Sequence, residues 1–524
     1  FLNFKLHEKS ALSAERSLKK ITKRLPEIPC PAPNADKITF MAKKFSAYNV
    51  RHIENDELPT WEIVISFVVW ISNIVYAFYN VYYASLIFKN RLYGGDFEPG
   101  WSILGHIRKD STDIEWKHFT NRLYKLVFCF VIHSASYKGL DYASPSETAK
   151  IVVSVVDLGL LVVIHGYYAI FIQVIHGLVV YLICIKLIRR EIATWLFAGL
   201  VFYCLSAHWY GKYGTNDFEY YDFQVLLSYK LLQFVSFASY TCKNGDQTFL
   251  AFFHYCCYFP YSTVLIVNYK DYKEQIENRL KSPINYRKCI FLALRLIFWV
   301  SFLDFLLHFF YVHSLMPSAE ILRKVNLPTL CSIGYITGQI FHMKYVCIFG
   351  LNSLFAFLDG MQPPWPPICI SRVAFYANMW RYFDRGLYSF LLNHIFIPLS
   401  NKFRGNLEFL RQFSAAAICF SFIWLWHGAE SNLFCWSIMN FVQIILEKFG
   451  KLFAKNNQVF IETHITKIWC LRFESMWSVR NQLDNLTKPL YKFQIIPKKL
   501  FLRSSMFILT FQVAQKRAMS TLSV

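Results

Sequence analysis

No GxGxxG, no Walker-type loop and no HExxH occurs in these 524 residues, and no CxxC is matched by a second one. Those absences set aside Rossmann and P-loop nucleotide sites, zinc-protease helices and structural zinc knuckles. There is no internal repeat, which removes solenoids and propellers. Runs of about ten alternating residues are also missing, and with them a transmembrane β-barrel. Charge is scarce at 17% of residues and short of acid, with 34 Asp and Glu against 55 Lys and Arg. The resulting net charge of +21 does not point to nucleic acid, because no basic face runs continuously over a soluble domain. Basic residues instead stand at the ends of apolar runs, as in Lys186-Leu187-Ile188-Arg189-Arg190. That placement fits positive-inside loops against the head groups of a lipid bilayer.

What the sequence has in plenty is apolar length. Hydrophobic residues make up 55% and aromatics 19%, with 51 Phe and 32 Tyr. The reading is an all-α polytopic membrane protein. The first crossing is expected over Trp61 to about Leu86. Further apolar runs lie near 122–136, 150–164, 166–187, 191–209, 225–242, 249–268, 289–312, 328–358 and 432–446. Polar loops are expected near 90–118 and 269–288, the second cytosolic by its basic content. Residues 1–57 are polar, basic and broken by prolines, without an apolar h-region. They read as a disordered extension rather than a secretory signal. Residues 58–451 form the transmembrane domain, and 452–524 a basic, patchily apolar tail. The 14 cysteines fall largely inside apolar runs (Cys129, Cys184, Cys256, Cys257) and read as small buried hydrophobes.

Two polar clusters inside the apolar stretch 363–440 stand out. One is Met379-Trp380-Arg381-Tyr382-Phe383-Asp384-Arg385-Gly386-Leu387, the other Phe422-Ile423-Trp424-Leu425-Trp426-His427-Gly428. Ionisable groups at membrane depth are costly and mark function by default. Burial favours a neutral His427, able to accept a proton, with Gly428 ending its helix. The bland alternative is an interfacial histidine beside Trp426, bonded to a carbonyl. Asp384, four residues after Trp380, either orients a reacting group or is neutralised by Arg381 and Arg385. Asp304 and His308 are spaced to pair on one helix, as glue between helices rather than as a second site. Lys344 and Arg295 are intramembrane basics expected to snorkel or to pair with acids. Pro363-Pro364-Trp365-Pro366-Pro367 cannot be helical and is expected as an ordered, buried bend. Cys369, just after it, is a packing residue or an attachment point for metal, haem or lipid.

At these residues the sequence resembles the membrane-bound O-acyltransferase (MBOAT) family. The resemblance rests on Trp380-Arg381-Tyr382-Phe383-Asp384 with Gly386-Leu387, then Ile397-Pro398, Trp426-His427-Gly428, Cys435-Trp436 and Asn440. Upstream it extends to Lys344-Tyr345-Val346, Phe349-Gly350, Leu358-Asp359-Gly360, Pro363-Pro364 and Cys369. Lys109-Asp110-Ser111-Thr112-Asp113-Ile114-Glu115-Trp116 and Glu219-Tyr220-Tyr221 also fit, so that it spans roughly Leu58 to Lys451. Within the family the pattern resembles the branch that palmitoylates N-terminal cysteines. The resemblance implies a helical core of about ten crossings with re-entrant segments, enclosing an acyl tunnel. It implies palmitoyl-CoA as donor and the N-terminal Cys amine of a secreted Hedgehog-type protein as acceptor, in the endoplasmic reticulum or Golgi membrane. It makes His427 and Asp384 catalytic, places Trp380, Trp426 and Asn440 around the active centre, and gives Cys369 the place of a haem ligand. It also implies two more crossings after about residue 452, where this chain departs from the pattern.

Rival readings are a Porcupine-type or lipid O-acyltransferase, a non-catalytic regulator of lipidation, and a transporter. The carboxylate at Asp384 counts against the first, since relatives of that kind resemble an Asn there. His427 counts against the second. The lack of matched Gly/Pro-broken helices counts against the third.

Overall fold

The computed structural model describes residues 60–456, apart from short stretches at 93–96, 106, 144–146, 208, 211–216, 282, 371–372, 374 and 402–407. The expected N-terminal extension and most of the C-terminal tail lie outside the described residues. The chain divides into units 1–65 and 66–524. Of the first, only the opening turns of a helix are described; the rest of the architecture belongs to the second.

The order is α1 (Thr60–Leu92), a hairpin of β1 (Phe97–Pro99) and β2 (Arg108–Asp110), then α2 (Ile114–Ala143), α3 (Glu147–His165) and α4 (Tyr167–Val179). After α4 a π-helical stretch runs to Ile188, followed by α5 (Glu191–Ser206), α6 (Asp217–Asn244), α7 (Phe249–Cys257) and α8 (Tyr269–Asn278). Next come α9 (Tyr286–Leu306), the short α10 (Val312–Leu315) and α11 (Ala319–Lys324), and the long α12 (Leu327–Leu358). The last part holds α13 (Tyr376–Phe383), α14 (Arg385–Leu391), α15 (Ile397–Asn401), α16 (Glu408–Trp426) and α17 (Ser431–Asn456).

Six helical stretches among the described residues are long and apolar enough to cross a membrane: Val64–Leu92, Glu147–His165, Tyr167–Ile188, Tyr286–Leu306, Leu327–Leu358 and Leu433–Gly450. Glu191–Ser206 and Leu410–Trp426 are apolar but shorter. The solvent implied is lipid. In α1, Ala77, Val81 and Ala84 are buried along one stripe, while Val68, Val75, Tyr79 and Leu86 on other faces are exposed. The chain is thus a polytopic helical membrane protein.

α12 is the axis, starting at Asn326, whose side chain caps the Thr329 N–H with Pro328 in the first turn. α9 packs along it so closely that a Cβ on Gly350 would stand 2.5 Å from Leu296 Cδ2. Polar clasps fix the surrounding helices. His133 of α2 sets its two ring nitrogens against Asp157 of α3 (2.6 Å) and Asp359 at the end of α12 (2.8 Å). The Tyr258 hydroxyl donates to Asp359 (2.9 Å). Lys344, fully buried in mid-α12, pairs with Asp113 (2.8 Å) and Glu115 (2.6 Å) at the start of α2. Pairing, not snorkelling, is its outcome.

Several expectations change. The run 249–268 is not one crossing: α7 stops at Cys257, and the chain continues as a 3-10 turn and irregular backbone through the protein interior. Irregular backbone is tolerated there because its polar groups find partners, as where Tyr269 N–H donates to Ser236 Oγ (2.9 Å). The loop at 90–118 contains the hairpin, and 269–288 contains α8. Asp304 and His308 do not join helix to helix or pair carboxylate to ring. Asp304 accepts from Trp101 Nε1–H (2.8 Å) and Lys109 Nζ (3.0 Å), and His308 Nε2 accepts the Trp101 backbone N–H (3.0 Å). Both pin the hairpin. The proline bend is ordered but only partly buried, since Pro363 and Pro367 are inside while Trp365 is exposed. All twelve cysteines among the described residues are free.

Candidate active site

Trp380 and Asp384 do not share one helix. The helix breaks at Asp384, which ends α13 and opens α14 with extended backbone (φ −121°, ψ 94°). Its carboxylate caps α14 by accepting the Leu387 N–H (2.8 Å). Neither neighbouring arginine neutralises it: Arg381 lies over the Tyr388 ring and Arg385 over Tyr382. Gly386 is required here because a Cβ would stand 2.2 Å from the Ile266 carbonyl oxygen. The buried irregular segment around Ile266 therefore packs directly on the Asp384 turn.

His427 follows the last turn of α16. The helix closes through Gly428 (φ 111°) and Ala429 (φ 60°), whose N–H groups reach back to Leu425 and Trp424 carbonyls. The imidazole is wedged between Trp426 (ring centroids 4.6 Å) and Trp436 (5.7 Å, edge-on at 88°). Trp436 in turn meets Trp380 at 5.7 Å. Asn440, 1% exposed, fixes that arrangement. Its Oδ1 accepts from Trp380 Nε1–H (3.2 Å) and the Tyr376 hydroxyl, and its amide donates to the Trp436 carbonyl (2.7 Å). Trp426 Nε1–H donates to Ser228 O (3.3 Å).

Asp384, His427, Trp380, Trp426, Trp436 and Asn440 all line one cavity of about 430 Å³, otherwise mostly apolar. Asp384 and His427 are half-buried and both line this cavity. Both stand outside the membrane-length helices. Burial pushes the Asp384 carboxyl up to about 6, opposed by backbone N–H groups of Leu387 and Gly386. Burial pushes His427 down to about 4, opposed by the charge of Glu115. At neutral pH the cavity thus presents a neutral imidazole and a carboxylate.

Sequence reasoning assigns Glu115 no role, although it lies in one of the matching motifs. Its carboxylate lines the cavity, paired with Lys344 and accepting the hydroxyls of Tyr221 (2.9 Å) and Tyr345 (3.1 Å). A second unforeseen group is Asp222, held by His118 (3.1 Å), His165 (2.8 Å) and Arg122 (2.9 Å) on the same cavity wall. Sequence spacing gives no signal for it, because three helices contribute.

Cys369 is half-buried on the loop beyond the prolines and does not line the cavity. Among the described residues no group of three His, Cys, Asp or Glu is placed to hold a metal ion. Nothing described around Cys369 supports haem there.

The family model described as MBOAT, membrane-bound O-acyltransferase family, matches residues 187–473. The chain is 26% identical over 415 residues to the protein-cysteine N-palmitoyltransferase HHAT of Mus musculus, covering 74% of this chain and 81% of that one. It is 26% identical over 434 residues to the protein-cysteine N-palmitoyltransferase Rasp of Drosophila melanogaster, covering 80% and 85%. It is 25% identical over 424 residues to the membrane-bound O-acyltransferase GUP1 of Saccharomyces cerevisiae, covering 71% and 72%. With its apolar helices and its mostly apolar cavity, the chain belongs to the membrane-bound O-acyltransferase family of polytopic membrane acyltransferases.

Proposed function

We propose that this protein moves palmitate from palmitoyl-CoA to the N-terminal cysteine amine of a secreted Hedgehog-type signalling protein, in the endoplasmic reticulum or Golgi membrane. The observation that carries the reading is one apolar cavity lined by both Asp384 and His427, from separate helix ends, beside Trp380, Trp426 and Asn440. Similarity to two palmitoyltransferases over most of the chain supports the donor and acceptor classes.

In the reaction the amine nitrogen attacks the thioester carbonyl. The C–N bond forms and the C–S bond breaks. The acceptor ammonium gives up two protons in all; one ends on the CoA sulfur and one leaves to solvent. His427 acts as the base at the nitrogen, since a neutral imidazole is the form present at neutral pH. The imidazolium so formed is stabilised by the Glu115 charge, which already acts on His427 in the resting protein. Asp384 places its negative charge where the ammonium must come to rest. Trp380, held by Asn440, and Trp426 wall off water from the reacting atoms. Partition of a C16 chain into the cavity is favourable by about 0.8 kcal/mol per methylene.

The test is palmitoyl transfer by purified protein in detergent, with palmitoyl-CoA and a peptide beginning with Cys. Transfer is expected to the free amine and not to a blocked one, and His427→Ala is expected to lower kcat by about a hundredfold or more. Transfer to a serine hydroxyl but not to the amine would instead support O-acylation. No transfer by folded protein would refute the enzyme reading.

A further inference from the structure

Five tyrosines line the cavity, and the protein itself engages four of them. The hydroxyls of Tyr221 and Tyr345 donate to Glu115 (2.9 and 3.1 Å), and that of Tyr376 donates to Asn440. Tyr388 carries the Arg381 guanidinium over its ring. Tyr229 of α6 is the fifth. It is half-buried and lines the cavity. Among the described residues its hydroxyl has no hydrogen-bond partner, and yet the atom keeps accessible surface.

Contacts on Trp426 place this side chain beside the reacting centre. The Tyr229 ring meets Trp426 edge-on (centroids 5.3 Å apart, 66°), and the same indole meets His427 at 4.6 Å. One residue earlier, the Ser228 carbonyl accepts the Trp426 Nε1–H (3.3 Å), which ties α6 to the helix end that carries His427. The charges of Asp384 and Glu115 both act on Tyr229. A phenol is protonated at neutral pH, and negative charges nearby keep it so, which makes the hydroxyl a dependable donor. A phenylalanine would fill the same space against Trp426, so the ring contact alone does not call for a tyrosine. The hydroxyl is the part with no use in the resting protein. A donor left open in a mostly apolar cavity is suited to charge that develops only during a reaction.

Acyl transfer develops such a charge. When the nucleophile bonds to the thioester carbon, the carbonyl π pair moves onto oxygen. When the C–S bond breaks, that pair returns to the carbonyl and the CoA sulfur leaves with its electrons. Between the two events the oxygen is an anion. His427 and Asp384 serve the attacking nitrogen, and the C16 chain has no polar atom. The carbonyl oxygen has no donor among those residues.

We propose that the Tyr229 hydroxyl is the oxyanion donor: it hydrogen-bonds the carbonyl oxygen of the acyl thioester as the tetrahedral intermediate forms, and keeps its own proton throughout. This rests on the acyl-transfer reading of the cavity and deepens it, and it holds for an amine or a hydroxyl acceptor alike.

The experiment compares wild type with Tyr229→Phe as purified full-length protein, using palmitoyl-CoA and a Cys-initiated peptide. Phe keeps the ring against Trp426 and removes a hydroxyl that bonds nothing in the protein, so thermal unfolding is expected to be unchanged. The kcat is expected to fall about a hundredfold, with the KM of each substrate within about threefold of wild type. A second probe is S-hexadecyl-CoA, a thioether with the same chain and nucleotide but no carbonyl. It is expected to inhibit both proteins equally, because the hydroxyl acts on the carbonyl oxygen alone. The pH profile of kcat/KM is expected to keep its shape. A kcat within about threefold of wild type overturns the proposal. So does a raised peptide KM with kcat retained, which makes the hydroxyl a contact to the acceptor. Weaker inhibition by the thioether overturns it by making the role structural, and a lost alkaline limb by making the hydroxyl a proton donor. A Tyr229→Phe protein that does not fold contradicts a hydroxyl free of the protein and overturns it too. If the wild type transfers palmitate to neither an amine nor a serine hydroxyl, the underlying reading falls, and this inference with it.

Discussion

Replacing Asp384 with Asn should make the protein more stable and less active. Burial raises the Asp384 carboxyl from 3.8 to about 6. Keeping it ionised in the folded state therefore costs stability. About two pKa units at about 1.4 kcal/mol each set a ceiling near 3 kcal/mol. The carboxylate keeps some surface toward the cavity, and screening there reduces the expected gain to about 1–2 kcal/mol. The penalty is absent below pH 3.8, grows through the window up to about 6, and is complete above it. Asn removes the charge but keeps the cap, since its side-chain oxygen also accepts the Leu387 N–H. Thermal unfolding in detergent, wild type beside Asp384→Asn, should show the variant ahead by a few degrees at neutral pH. The gap should close as the pH falls through 6 toward 3.8. Palmitoyl transfer by the same preparation should drop by about a hundredfold or more. A variant less stable than wild type, or a gap independent of pH, would refute a destabilising buried carboxylate at this position.

The same geometry has other consequences. Wild-type transfer should lose activity as pH falls through about 6, where Asp384 takes up its proton, while His427 stays neutral down to about 4; the pH profile of kcat/KM measures both, and in Asp384→Asn the acid limb should move down toward the lower value. Gly386→Ala should destabilise by about 1–3 kcal/mol, because the new methyl meets the Ile266 carbonyl rather than a side chain that can turn away; thermal unfolding reads it. Lys344→Met should cost about 3–5 kcal/mol by leaving Asp113 and Glu115 buried without their shared cation, visible as loss of folded protein on size exclusion. Asn440→Ala should free Trp380 and loosen it from Trp436, read as lowered transfer and a changed tryptophan emission, with the fold retained.

The sequence by itself determined the class and singled out His427 and Asp384. Apolar runs longer than a soluble core needs can only be solvated by lipid, which made the chain a helical membrane protein on composition and patterning alone. A histidine before a glycine at the end of an apolar run, and an aspartate among aromatics, stood out because charge at that depth is expensive. Local sequence also set the helix end at Gly428, since a left-handed residue is a local requirement. What it left undecided was everything that depends on a partner distant in the chain. Whether Asp384 was neutralised by its arginines depended on where tyrosines 382 and 388 lay; both cations went to the rings and the carboxylate to the backbone. Asp304 and His308, spaced to pair carboxylate with ring, meet only through the Asp304 carbonyl, while the carboxylate and Nε2 were claimed by Trp101 and Lys109 of a distant hairpin. The run 249–268 looked long enough to cross, yet the tertiary structure broke it, because interior partners for its backbone polar groups removed the penalty that otherwise forces a helix. Glu115 meets Lys344, and His165 meets Asp222, each pair from two separate helices, and no spacing along a chain encodes such a meeting. Hydrophobicity and local backbone preference are properties of a segment and are legible in it. Ion pairs and cavity walls are properties of packing, and only the folded chain decides them.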